Sequence, residues 1–211
     1  ISDCLVGSEM CIRDRKYTTL IMVSGSYNQL GKGEVKKIKK WVEEGNTLIT
    51  IARGSSWAIS KKLINESLVE SKKDSTHSRK NYVDAREFIG RERIGGVILK
   101  ADIDLTHPIA FGYNDNSIPV YKNNNVFINK TKNDYSSVAT YSKDFHIDGY
   151  ISETNREDFI PGSASIIISK VGSGRVVVFA DNPNFRGTWY GTNKLFLNAI
   201  FFGNNISVPT N

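Results

Sequence analysis

Apolar positions along the chain fall into two periods. Tyr17-Thr-Thr-Leu-Ile-Met-Val23 is short, apolar and β-branched, the composition of a buried strand. Ser24-Gly-Ser-Tyr27 ends it in a turn. In Glu34–Glu44 the apolar residues Val35, Ile38, Trp41 and Val42 recur at three and four, so the spacing predicts a helix with one buried face. Gly45 suits its C-terminal cap, because glycine takes positive φ without a Cβ clash. Thr47-Leu-Ile-Thr-Ile51 is a second strand, and the turn Ala52-Arg-Gly-Ser-Ser56 leads to a helix expected over 57–64, with Ser55 or Ser56 as N-cap. Strand, helix, strand, helix in this order implies parallel strands with right-handed crossovers. Ligands in such sheets sit at the carboxyl ends of the strands, where both turns would lie.

The pattern then changes. Residues 66–93 are polar and charged and read as a mobile insertion with room for one short helix. Over 95–151, short strand candidates at 96–103, 118–121, 126–128 and 138–141 are separated by Asn, Asp and Gly, which predicts a β-rich segment of hairpins added to the α/β core. The first pattern returns in Ile166-Ile-Ile168, the turn Gly172-Ser-Gly174, the strand Arg175-Val-Val-Val-Phe-Ala180, the loop Asp181–Gly187 and a closing helix, Thr192–Phe202. Residues 204–211 read as a tail.

Composition narrows the function classes. No apolar run approaches the roughly 20 residues of a membrane-spanning helix, and no membrane span is expected. The first fifteen residues have neither period and resemble a translated sequencing-adapter read-through, so 1–15 is expected to be foreign and the domain N-terminally truncated. Both cysteines, Cys4 and Cys11, fall in that segment, which leaves 16–211 with no thiol. Setting aside its two arginines and three acids raises the net charge from +6 to +7. The basic clusters Lys36, Lys37, Lys39, Lys40 and Lys72, Lys73, Arg79, Lys80 lack interleaved stacking aromatics, since Trp41 belongs to the apolar face. They read as solvated surface, and no nucleic-acid partner is expected.

Candidate chemistry is sparse. His77, His107 and His146 have neither the spacing nor the local pairing of zinc ligands, so no metal site is expected. Ser24 and Ser55 follow strands but lack the Gly-x-Ser-x-Gly elbow, and a triad with His107 and Asp181 joins three scattered residues of common types. Gly31-Lys-Gly33 and Gly172-Ser-Gly174 do not complete a phosphate-binding loop. Asp181-Asn-Pro-Asn-Phe-Arg186 gathers polar groups at a strand's carboxyl end. It suits a ligand-binding or docking loop, or a loop held by its own Asn and Asp side chains.

The segments Tyr17–Val23 with Ser24-Gly-Ser26, Trp41-Val-Glu-Glu-Gly45 and Thr47–Ala52 with Arg53-Gly54 resemble the core of the class I glutamine amidotransferase-like superfamily. More closely, Leu105–Tyr113, Gly174–Phe179, Asp181–Arg186 and Tyr190–Phe202 resemble the amidotransferase-like domain that follows the catalytic domain in some bacterial zinc carboxypeptidases. The resemblance spans nearly all of 16–203. It implies a flavodoxin-like, three-layer α/β fold around a parallel sheet, lacking one or two strands at its start. It places Ala52 where active members carry the nucleophilic cysteine, so no catalytic residue and no cofactor are expected here. It implies a non-catalytic accessory domain whose partner is an upstream peptidase domain of the same chain, with the zinc in that domain, in an extracellular or periplasmic protein. Ser24, Ser26, Arg53, Ser55, His107, Asp181, Asn184 and Arg186 are the candidates for a ligand or docking loop. A free-standing ligand-binding module, or a serine hydrolase using Ser55 or Ser56, are the alternatives.

Overall fold

A computed structural model describes residues 17–70 and 81–209. The expected foreign segment, the centre of the insertion with His77, and the second basic cluster lie outside the described residues. The elements are β1 (Thr19–Met22), α1 (Lys32–Glu43), β2 (Thr47–Ile51), α2 (Arg53–Ser60), α3 (Tyr82–Arg91), β3 (Val97–Ile103), β4 (Ser117–Lys122), β5 (Ile128–Asn129), β6 (Ser137–Gly149), β7 (Ser163–Val171), β8 (Gly174–Phe179) and α4 (Tyr190–Phe202). One sheet runs in the order β1-β2-β8-β7-β6-β3-β4, with β5 beside β7.

The sheet is buried on both faces at its centre. On β2, Leu48 belongs to one apolar cluster and Ile49 and Ile51 to the other; on β8, Val176 and Val178 face one side and Val177 and Phe179 the other. That alternation is what a strand covered on both sides produces. Ile38, Trp41 and Val42 of α1 and Trp57, Ala58 and Ile59 of α2 cover one face. Leu195 and Ala199 of α4 cover the other, so the core has three layers. Gly174 has no room for a Cβ, which would strike the carbonyls of Val42 and Asn46 and push the sheet away from the end of α1.

The expectation of a parallel sheet needs correction. Only β1, β2 and β8 are parallel; β7 pairs antiparallel with both β8 and β6, and β3 pairs antiparallel with β6 and β4. The cause is connection length. Two residues, Gly172 and Ser173, join β7 to β8, and a parallel pair needs a crossover of a dozen or more. The β-rich segment adds its strands to the same sheet.

Two further boundaries differ from the sequence pattern. Helix α2 begins at Arg53 directly after the strand, because Ser55 turns inward and caps nothing. Residues 204–208 pack: Ile206 and Val208 are buried and Ser207 is exposed between them, so they extend the core on the α4 side.

Candidate functional site

The carboxyl ends of β1, β2 and β8 meet at a sharp strand-to-helix turn. Ala52, between β2 and α2, has φ 50° and ψ −112°. That conformation is sparsely populated by any residue with a Cβ and persists only where surroundings enforce it. Three contacts do so. The Ala52 amide donates to the Phe179 carbonyl at 2.8 Å. Ser55 Oγ donates to the same carbonyl at 2.8 Å and lies 3.0 Å from Thr50 Oγ1. Gly54 seats the start of α2 against β1, where a Cβ would come within 2.8 Å of the Met22 carbonyl oxygen and 3.0 Å of that of Val23. This is the kind of turn on which α/β hydrolases present a nucleophile. Its apex here is a buried methyl group.

The serines around the turn differ in exposure. Ser55 is fully buried and committed to the two bonds just given. Ser24 and Ser26 are exposed after β1, and Arg53 is exposed beside Ala52, so these three border the turn from solvent. Tyr27 closes the same loop: its hydroxyl donates to the Val23 carbonyl at 2.6 Å and its ring lies 5.6 Å from that of Trp57. Partial burial raises its hydroxyl pKa above 10.0.

Asp181, two residues past β8, is buried at the centre of a closed polar network. Its Oδ1 accepts from Lys122 Nζ at 3.0 Å; its Oδ2 accepts from Tyr141 Oη at 2.6 Å and Ser165 Oγ at 2.9 Å. Lys122 places its other two ammonium hydrogens on the Val126 carbonyl at 2.7 Å and Tyr141 Oη at 3.3 Å, and sits 4.7 Å from the Phe127 ring centroid. Burial lowers the Lys122 pKa against the opposing pull of Asp181, and burial, with the Asp181 charge beside it, holds the Tyr141 pKa well above 10.0. A cavity of about 10 Å³ lined by Tyr121, Ser165, Asp181 and Thr192 adjoins it, room for about one water. Three of the roughly four acceptor sites of the Asp181 carboxylate are taken by Lys122, Tyr141 and Ser165.

The rest of the loop is local. Asn184 is exposed and its amide donates to Asn182 Oδ1 at 3.0 Å, the self-bonded arrangement the sequence allowed. Arg186 has φ 52°, with its guanidinium 5.2 Å from the Phe185 ring. His107 caps a 3₁₀ turn, Pro108–Ala110, by accepting the Ile109 amide on Nδ1 at 3.1 Å. Burial lowers its pKa, with Asp104 pulling the other way. His146 Nε2 lies 2.8 Å from the Gly149 carbonyl oxygen. Among the described residues no group of three or more His, Cys, Asp or Glu side chains converges to hold a metal ion, and no helix is long and apolar enough to cross a membrane.

Sequence reasoning missed Lys122, Tyr141 and Ser165. The signal for Lys122 was present: in Ile118-Pro-Val-Tyr-Lys122 the alternation puts the lysine on the side of Ile118 and Val120, which is buried.

Solved structures with this architecture include a ThuA-like protein from Parabacteroides merdae (TM-score 0.53, 11% identity, 93% of this chain and 74% of that one). A cytoplasmic protein from Salmonella typhimurium (0.51, 14%, 90% and 74%) and PurLQS from Thermotoga maritima (0.50, 17%, 86% and 78%) also align. The chain shares its mixed α/β fold with these structures. At these identities the likeness concerns the fold alone. No protein-family model and no curated protein matches the chain.

Proposed function

We propose that this chain is a non-catalytic, amidotransferase-like accessory domain of an extracellular or periplasmic zinc carboxypeptidase, serving the peptidase domain by packing on it or by helping to bind substrate. The observation that carries the reading is the turn at Ala52, which keeps the strained shape of a nucleophile turn and presents only a methyl group. Covalent acyl transfer needs an activated nucleophile such as a thiolate or hydroxyl, and Ser55 Oγ, three residues after Ala52, already donates to a backbone carbonyl. The carboxypeptidase parent rests on the resemblance carried by Leu105–Tyr113 and Tyr190–Phe202, and zinc belongs to that parent's catalytic domain.

Two experiments test this reading. The purified chain is expected to release no ammonia from L-glutamine, to remove no residue from C-terminal peptide substrates and to resist fluorophosphonate labelling. Labelling that disappears in Ser56→Ala would replace the proposal with a hydrolase. Long-read sequencing of the source DNA across the codon for Lys16 tests the parent: an in-frame zinc-peptidase domain is expected, and a start codon with no peptidase would overturn the assignment.

A further inference from the structure

A groove of about 310 Å³ lies at the opposite end of the parallel strands from Ala52, between the β7–β8 turn and the segment Asn204–Val208. Its volume is at the lower end of the roughly 300–1,000 Å³ range of small-molecule sites. Its charge is one-sided: Lys170 and Arg175 line it, and no Asp or Glu does.

Arg175 is half-buried, and its guanidinium is held in place by two neutral acceptors. Nη1 donates to the Gly203 carbonyl at 2.8 Å and Nη2 to the Ser173 carbonyl at 3.1 Å. A guanidinium has five N–H groups, so three have no acceptor among the described residues. Burial lowers its pKa, and no carboxylate opposes that effect. The guanidinium is only partly shielded from water, and among the described residues no ion pair is seen for it. Two carbonyl anchors fix the plane of the fork before any ligand arrives, which reduces the ordering cost of binding. Lys170, exposed at the end of β7, supplies a second positive charge, and Ser173, Asn205 and Ser207 add polar groups at the rim.

We propose that this groove binds a small molecule bearing a carboxylate or phosphate group, with Arg175 as the planar fork and Lys170 as the second charge. Guanidinium geometry matches either oxyanion in a bidentate mode. The site is independent of the turn at Ala52, so the proposal stands whatever chemistry is found there.

The test titrates inorganic phosphate, succinate and citrate separately against the full chain at constant ionic strength, with chloride as reference. Thermal unfolding and calorimetry are the readouts. A saturable rise in Tm is expected for at least one of the three anions, and the tighter binder identifies the oxyanion class. Lys170→Gln, at an exposed position, is expected to weaken binding by roughly tenfold, the effect of about 1.4 kcal/mol. Arg175→Lys, which keeps the charge and loses the fork, is expected to weaken it at least as much. Lys36→Gln, the same charge change on the exposed face of α1, is expected to leave it unchanged. A response absent for all three anions, or equal in the wild type and Lys170→Gln, would overturn the proposal even if Arg175→Lys fails to fold.

Discussion

At φ 50° and ψ −112°, Ala52 sits where a residue with a Cβ gives up about 1–3 kcal/mol. The contacts that hold it there are mutual: the Phe179 carbonyl accepts from both Ala52 and Ser55, and Gly54 lets α2 start against β1. Gly54→Ala therefore meets two backbone carbonyls that cannot step aside as a side chain would. It is expected to cost about 1–3 kcal/mol, read as a lower urea midpoint at unchanged m-value. A wild-type midpoint would mean that β1 shifts freely and that the turn is not enforced from that side. His107 gives a second single-residue prediction. Burial lowers its pKa below the ordinary 6.5, so between the folded value and 6.5 the unfolded chain binds more protons. The contribution is whole above pH 6.5 and is lost as pH falls through the folded value. His107→Asn keeps an acceptor for the Ile109 amide but does not titrate, so the wild type is expected to lose more stability than this variant between about pH 7 and pH 5. Asp104, whose pKa is already below 3.8, titrates beneath that window. Equal losses in the two proteins would refute the assignment.

Helix α4 shows what periodicity conveys at the level of an element and what it leaves out. Tyr190-Gly-Thr-Asn-Lys-Leu-Phe-Leu-Asn-Ala-Ile-Phe-Phe202 is apolar nearly all round, so its sequence marks a helix without marking the buried face. The structure assigns it: Leu195 is 0% exposed and Leu197 43%. Leu195→Ala is expected to cost about 2–5 kcal/mol, and Leu197→Ala within about 0.5 kcal/mol, both read by denaturant unfolding. Similar losses at both positions would mean that a partner covers the outer face in solution. Helix α1 is legible in full, because its apolar residues occupy one stripe and Gly45 ends it with φ 112°. The start of α2 is not legible, because a cap is recognised by serine, and Ser55 spends its hydroxyl on the neighbouring strand. The direction of β7 runs against the expectation although its signal is present: apolar strands separated by Gly172-Ser173 can only form a hairpin. A fold-family expectation of parallel strands outweighs, in the sequence, a two-residue turn that excludes them.

On the scale of the whole molecule, the Lys122–Asp181 pair reports the shape of the sheet. Strands β4 and β8 are four intervals apart, and at about 4.8 Å each a flat sheet would separate them by roughly 19 Å. The Lys122–Asp181 distance of 3.0 Å therefore requires the β3, β4 and β6 region to curl over the carboxyl end of β8. The register shifts between β6 and both its neighbours supply the bending. No local pattern could have paired residues 59 positions apart in sequence across three intervening strands. It follows that the network acts as a tie closing the curl, with β4, β6, β7 and the end of β8 all contributing side chains to it. Removing one partner leaves a buried charge alone, so Asp181→Asn is expected to cost about 3–5 kcal/mol and Lys122→Met a comparable amount. The double variant behaves differently. The introduced asparagine would still accept from Tyr141 and Ser165, and the introduced methionine would fill the volume of the lysine stem with no charge to solvate. Its loss is expected to fall short of the summed single losses by about 2 kcal/mol or more, in a cycle measured by chemical denaturation. Additive losses would show that lysine and aspartate stabilise the curl separately, through packing and through the hydroxyl network, and that the ion pair is incidental to it.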